Sequence, residues 1–196
     1  MLKRTFDLLF GTLALILGLP IMGIAILMVY LEDGPPVIFR QKRVGKDGQL
    51  FEMFKIRTMV KNAEELQGQV ERQDSSGILI HKMKDDPRIT QVGRVLRRFS
   101  LDELPQLFNV LAGNMSLVGP RPEIPYLAEK YEPWQRKRFD VLPGITGWWQ
   151  VTSRINQPMY LHIEDDLYYI QNYSIWLDFE IIVRTIWVVL TGKGAY

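Results

Sequence analysis

The sequence predicts an α+β fold held at a membrane surface. It has a re-entrant helix-break-helix anchor, a small β-hairpin and amphipathic interfacial helices. Three observations carry this. Leu8 to Leu31 is a run of twenty-four residues without a formal charge, with Pro20 near its middle. Two short runs, Val37–Val44 and Leu50–Met59, flank the dipeptide Asp47-Gly48, a hairpin signal. Farther on, apolar residues recur at helical spacing between charges, the pattern of helices with one buried or interfacial face.

The uncharged run sets the anchor. At about 1.5 Å per residue it reaches roughly 36 Å, enough for a hydrocarbon core of about 30 Å. Lys3 and Arg4 precede it; Arg40, Lys42 and Arg43 follow it. A spanning helix normally shows its basic excess on one side, and here neither side wins. A segment that enters, bends at Pro20 and leaves by the same face fits that symmetry, which makes the protein monotopic. A proline-kinked helix that spans is the alternative. Pro20 removes an amide donor and clashes with the carbonyl of Ile16, and Gly18 loosens the same turn. The run is too long for a cleaved signal peptide and lacks its small-residue site. The anchor thus takes residues 1–33 and leaves 34–196 as a cytoplasmic domain.

Gly34-Pro35-Pro36 stops the helix. On the second strand Phe51, Met53, Lys55 and Arg57 share a face by the period of two; the two cations form an anion clamp or a solvated edge. Residues 60–76 are polar and read as a short exposed helix with a loop, a candidate lid. Thr90 suits the N-cap of a helix with an apolar stripe of Val92, Val95, Leu96 and Phe99, around which Arg94, Arg97 and Arg98 project. After Ser100 the apolar face is Leu104, Leu107, Phe108 and Leu111, ended by Gly113-Asn114. Ile175 to Leu190 is apolar again, but Asp178, Glu180 and Arg184 interrupt it. That makes it an interfacial or core helix rather than a second span.

Composition narrows the chemistry. There are 24 Lys and Arg against 22 Asp and Glu, a net charge of +2, so the clustering of cations matters more than their total. The chain has no Cys and two His (His81 and His162), which removes thiol chemistry and leaves little for a zinc site or a Ser-His-Asp triad. Carboxylates, cations and a hard metal remain. Asp102-Glu103 is the first candidate site: adjacent carboxylates project differently, so one can be nucleophile or metal ligand and the other a proton handler. Ser100 to Glu103 also has the S-x-x-E spacing of a capping box. Pro105 argues for an irregular turn there. Gly119-Pro120-Arg121-Pro122 holds one guanidinium between rigid residues, which suits a phosphate or carboxylate, or a structural turn. Gly144-Ile145-Thr146-Gly147-Trp148-Trp149-Gln150 offers close ligand approach, a stacking wall or an interfacial tryptophan pair. The basic clusters Arg40–Arg43, Arg94 with Arg97-Arg98, and Arg136–Arg138 come without a nucleic-acid motif, and anionic lipid is the simpler partner.

These pieces resemble the small monotopic phosphoglycosyl transferases of bacteria, the bacterial sugar transferase family. The resemblance rests on Lys3-Arg4 with Asp7, Phe39 to Gly45, Phe54 to Met59 and Asp86 to Thr90. Its longest blocks are Arg97 to Leu111 and Met115 to Glu123, followed by Pro143 to Trp148 and Asp166 to Tyr169. The number and order of these blocks make it specific.

The resemblance implies transfer of a sugar-1-phosphate from a UDP-sugar to undecaprenyl or another polyprenyl phosphate, with release of UMP. This would be the first membrane step of surface-glycan assembly, at the cytoplasmic face of the bacterial inner membrane. It implies that Asp102 is the nucleophile, forming an aspartyl-phosphosugar intermediate beside a Mg²⁺ ion for which it is also the ligand, and that Glu103 assists. Arg121 would hold a substrate phosphate; Arg97, Lys55, Arg57 and Asp166 are further candidates for substrate binding. Membrane lipids are expected partners, a homodimer is compatible, and nucleic acid is not expected. The family often carries Ser-Pro at its bend, whereas Leu19 precedes Pro20 here and cannot bond a freed carbonyl as a serine hydroxyl would. The rivals are a non-catalytic membrane-anchored scaffold of glycan assembly, a metal-dependent phosphatase and a basic lipid-binding protein.

Overall fold

A computed structural model describes residues 2–66, 72–73, 79–80, 86–152 and 163–191. Of the candidate lid at 60–76, residues 67–71 and 74–76 lie outside the described residues. Helix α1, Leu2–Asp33, is followed by the antiparallel hairpin β1, Ile38–Val44, and β2, Leu50–Ile56. The hairpin turns through Asp47 (φ 55°) and Gly48 (φ 76°), two successive left-handed residues of the kind that match strand twist. A two-residue pair follows, β3 (Arg72–Gln73) with β4 (Leu79–Ile80). Next come α2, Gln91–Arg98, a 3₁₀ turn at Leu101–Glu103, and α3, Gln106–Ala112. Strands β5, Ser116–Val118, and β6, Gly144–Thr146, pair in parallel. Between them lie α4, Pro125–Ala128, and α5, Pro133–Arg136. The chain continues with α6, Trp148–Thr152, α7, Ile163–Gln171, and α8, Ile175–Thr191. The mixed α and β content is the expected one.

Two apolar clusters hold these pieces together. Met53, Leu107, Val110, Met115, Val118, Tyr169 and Ile181 form one. Met22, Ala25 and Val29 of α1 form the other with Ile56 and Leu96. Leu104 packs against both, so the turn carrying Asp102 and Glu103 is anchored where the two clusters meet. Thr90 caps α2 as expected, its Oγ1 accepting from the Gly93 amide at 2.9 Å. The buried side of α2 is Gly93 and Leu96, however, and Val95 is 49% exposed. The docking face is set by Gly93, where a Cβ would lie 2.1 Å from the Thr58 carbonyl oxygen.

Helix α1 continues through Pro20 instead of breaking there. A proline inside a helix costs about 3 kcal/mol, and here one support carries both halves. Asp7, Gly11, Gly18, Met22, Ala25 and Val29 are its buried positions, a single stripe at spacings of three, four and seven. Small residues allow close approach: a Cβ on Gly11 would meet Val110, and one on Gly18 would meet Leu104, each at 3.4 Å. The remaining surface, including Leu13, Ile16, Leu17, Ile24 and Leu27, is exposed. Among the described residues α1 is the one helix long and apolar enough to cross a membrane, by length and composition.

Both ends of α1 are fastened to the same domain. Lys3 Nζ lies 2.9 Å from Asp178 Oδ2 and 3.2 Å from Asp7 Oδ1. Arg4 donates to the carbonyls of Val110 (2.6 Å) and Leu111 (2.9 Å) in the last turn of α3, where cations complement the helix dipole. At the other end Glu32 accepts from the Val92 amide at 3.1 Å. Arg57, one residue past β2, pairs with Asp33 at 3.0 Å and donates to the Asp33 and Gly34 carbonyls. Lys3 and Arg4, the basic flank before the uncharged run, thus serve as clamps. Helix α8 buries Leu177, Asp178 and Ile181 and exposes Trp176, Phe179, Val183, Ile186, Trp187 and Leu190 on one face, an outward apolar surface of interfacial type.

Candidate active site

Local backbone geometry decides what the two acids do. Ser100 sits in the left-handed region (φ 52°) and its side chain makes no capping bond. The Glu103 carboxylate does not turn back to Ser100, so the capping box is not formed. Pro105 stands just before α3, and the preceding residues coil into the irregular turn that a proline at this place favours. Asn109 then fixes that turn against the hairpin. Its Oδ1 accepts from the Phe54 amide at 3.1 Å and its Nδ2 donates to the Glu52 carbonyl at 2.7 Å, so one side chain continues the hydrogen-bond ladder of β2. Beside this junction Lys55 Nζ reaches Glu103 Oε1 at 3.0 Å, and Arg121 donates to the same oxygen at 2.9 Å.

Asp102 is 8% exposed, and among the described residues no donor bonds its carboxylate. Lys55, Arg97 and Arg121 all lie within its electrostatic reach. Burial, with the Glu103 charge beside it, raises the Asp102 carboxyl above the ordinary range against the pull of those cations. Glu103 behaves oppositely. Burial opposes its charge, but Lys55 and Arg121 outweigh burial and hold the carboxyl well below the usual range. Burial lowers Lys55, and Arg97 likewise. The Arg97 Nε donates to Thr58 Oγ1 at 2.9 Å, which orients its guanidinium. Glu103 is therefore a fixed anion holding two cations, and Asp102 is a carboxylate with open lone pairs among them.

A second, buried network supports the Pro-Arg-Pro segment. Arg138, 1% exposed, donates to Tyr131 Oη at 2.7 Å, to Glu123 Oε2 at 3.3 Å and to the Arg121 carbonyl at 2.9 Å. Asp166 closes the network at 2.6 Å from Arg138; burial pushes its carboxyl up to about 6 even with that cation beside it. Arg43, which burial lowers to about 10, donates to the Pro122 carbonyl at 3.2 Å. The glycines act here too. The Gly119 amide donates to the Thr146 carbonyl and the Gly144 amide to the Pro120 carbonyl, and a Cβ on Gly144 would lie 2.1 Å from the Gly119 nitrogen. The close approach these glycines allow is of backbone to backbone. Trp149 is buried, and Trp148 lies between Tyr168 and Arg184, so the pair packs internally.

The chain matches the family model described as bacterial sugar transferase over residues 1–192. It belongs to that family. It is 45% identical over 184 residues to the galactosyl transferase CpsE of Streptococcus agalactiae, covering 92% of this chain and 41% of the relative. It is 42% identical to the undecaprenyl-phosphate galactose phosphotransferase of Salmonella typhimurium, over 100% of this chain and 42% of that protein. It thus spans about two fifths of the length of such relatives. The exopolysaccharide production protein ExoY of Rhizobium meliloti is 36% identical, with 100% of this chain and 88% of ExoY covered.

In this bacterial sugar transferase, Lys55, Arg97, Asp102, Glu103 and Arg121 come together, as sequence reasoning grouped them. Arg57 and Asp166 do not join them. Arg57 caps α1, and Asp166 stands behind Arg121 as the partner of Arg138. Asn109 and Arg138 were not singled out as site residues. A polar side chain within the apolar run Leu104 to Leu111 was the signal for Asn109; Arg138 was hidden in a basic cluster that reads as surface. The acids fit a hard divalent cation. Among the described residues no hydrogen bond reaches the Asp102 carboxylate or Glu103 Oε2, and there is no group of three metal-binding side chains. Mg²⁺ commonly takes one or two carboxylates and completes its shell with water and substrate phosphates.

Proposed function

We propose that the chain transfers a sugar-1-phosphate from a UDP-sugar to undecaprenyl phosphate through Asp102, releasing UMP. One observation carries the proposal: a buried carboxylate, without a hydrogen bond among the described residues, within the electrostatic reach of three cations, two of them held by its neighbour Glu103. Relatives named as a UDP-galactose-lipid carrier transferase and a UDP-glucose:undecaprenyl-phosphate glucose-1-phosphate transferase support the substrate classes.

An Asp102 oxygen attacks the sugar-bearing phosphorus, and the bond from that phosphorus to the bridging oxygen breaks. UMP leaves with that oxygen, and the sugar phosphate stays on Asp102. A phosphate oxygen of the acceptor then attacks the same phosphorus, the aspartyl bond breaks, and the carboxylate returns. Lys55, Arg97 and Arg121 offset the charge of the phosphates at both steps, which is most of what phosphoryl transfer asks of a protein. Glu103 keeps Lys55 and Arg121 aimed. Asp102 and Glu103 would hold Mg²⁺, which supplies further neutralisation of phosphate charge.

The fastening of both ends of α1 to one body supports a re-entrant anchor, with the site at headgroup height on the cytoplasmic face. Intact-mass measurement tests the chemistry. Protein incubated with UDP-sugar and Mg²⁺ but no acceptor should gain one sugar phosphate, and Asp102→Asn should gain none. Lipid-linked product from wild type that never shows the adduct would replace the two-step route with direct transfer.

A further inference from the structure

An apolar cleft of about 470 Å³ runs from the acidic turn out between α1 and α8. Leu13 and Leu17 of α1 form one wall, Ile182 and Val189 of α8 the other, and Leu104 with Leu117 the floor. Glu103, already paired with Lys55 and Arg121, stands at one end. Elsewhere in the lining the hydroxyls of Thr146 and Thr185 bond each other at 2.7 Å and so offer little to a polar guest. Both walls belong to helices whose outer faces are exposed and apolar. Whatever layer covers those faces is therefore continuous with the cleft.

We infer that this cleft receives the phosphate-proximal isoprene units of the acceptor, placing its phosphate beside Asp102. The inference rests on the proposed transfer and assigns the acceptor's place within it. Three features fix the occupant. It is mainly apolar, because most of the lining is. It ends in an anion, because the charged residue in the lining is Glu103, whose partners Lys55 and Arg121 stand just behind it. It enters from lipid, because the cleft opens between two helices whose outer faces are exposed and apolar. A prenyl phosphate meets all three, and the volume lies within the range of small-molecule pockets, about 300–1,000 Å³, so it suits the first part of a long chain whose remainder stays in the bilayer. A phospholipid acyl chain shares the second and third features only through a headgroup that blocks its phosphate from attack. Helix α8, read from sequence as an interfacial or core helix, thereby gains a role as one wall of an acceptor site.

Photolabelling of the full chain in nanodiscs tests this. The probe is farnesyl phosphate carrying a diazirine on its first isoprene unit, followed by peptide mapping. Labels are expected on α1 around Leu13–Leu17 and on α8 around Ile182–Val189, suppressed by undecaprenyl phosphate and not by excess phosphatidylglycerol. Labels confined elsewhere, or suppressed equally by phosphatidylglycerol, overturn the assignment. As a second measurement, Leu17→Trp narrows the cleft and should raise the ratio of acceptor KM to donor KM by about tenfold, the signature of lost ground-state binding to one substrate. An unchanged ratio in a folded variant also overturns it. Labelling needs no nucleotide sugar, so it reports on the cleft even if no sugar-phosphate adduct forms. Failure of the cleft and failure of the transfer chemistry therefore appear in different experiments.

Discussion

Three residues in and behind the site make separable predictions. Among the described residues Asp102, buried at 8% exposure, has no hydrogen bond to lose, so Asp102→Asn should keep its expression and membrane association while transfer falls about a thousandfold or more, as for loss of a nucleophile. Lipid-linked product at the wild-type rate would remove Asp102 from the chemistry. Arg121→Lys keeps the charge but loses the planar fork that reaches Glu103; kcat/KM should fall by about tenfold or more, and unchanged kinetics would reassign Arg121 to structure. Asp166 carries a pH prediction. Its folded carboxyl is raised to about 6 from an ordinary 3.8, so the folded state binds the proton more tightly than the unfolded one. That contribution is fully present below the unfolded value and is lost as pH rises through about 6, up to about 3 kcal/mol in all. Thermal unfolding of solubilised wild type should accordingly strengthen from pH 7 towards pH 5, and Asp166→Asn should lose that component. An identical pH slope in the two proteins would mean that Asp166 does not titrate there.

At the scale of elements, the junction between α3 and β2 aims Lys55. Asn109→Leu keeps the helix but leaves the Phe54 amide and Glu52 carbonyl without partners, a cost of about 1–3 kcal/mol for buried groups. The variant should melt lower and also lose kcat through Lys55; a lower melting point with intact kcat would show that the junction serves stability alone. Such a junction was hard to foresee. Helix α2 with its Thr90 cap, the Asp47-Gly48 turn and the irregular turn before Pro105 were legible because each is decided by residues a few positions apart. What Lys3, Arg4, Arg57 and Arg138 do was not, because each meets partners distant in sequence. A cation has no local preference that tells a helix clamp from a phosphate ligand. The glycines at 119 and 144 misled for the same reason: only the parallel pairing of β5 with β6 shows whose backbone comes close.

At the scale of the whole molecule, α1 poses the main mechanical question. A straight helix of 32 residues would be about 48 Å long, more than a bilayer core needs. Yet its first turn is tied to Asp178 and to α3, and its last turn to α2 and Arg57. If α1 crossed the membrane, one of these attachments would have to part, leaving Asp178 or Arg57 buried without its opposite charge, which costs several kcal/mol. In the proposed re-entrant arrangement both are kept, which would put the two ends on the same side and leave the exposed apolar flank of α1 and the outward face of α8 to share the lipid. The chain has no cysteine, so single-cysteine variants report cleanly. Leu2→Cys at the start of α1 and Lys46→Cys in the hairpin turn are both at exposed positions. Both should react with a membrane-impermeant maleimide in inverted inner-membrane vesicles, and neither in intact spheroplasts. Labelling of Leu2→Cys only from the outside would make α1 a true span and detach its first turn from Asp178. It would also open the wall of the acceptor cleft that α1 supplies, so topology and lipid binding stand on the same contacts.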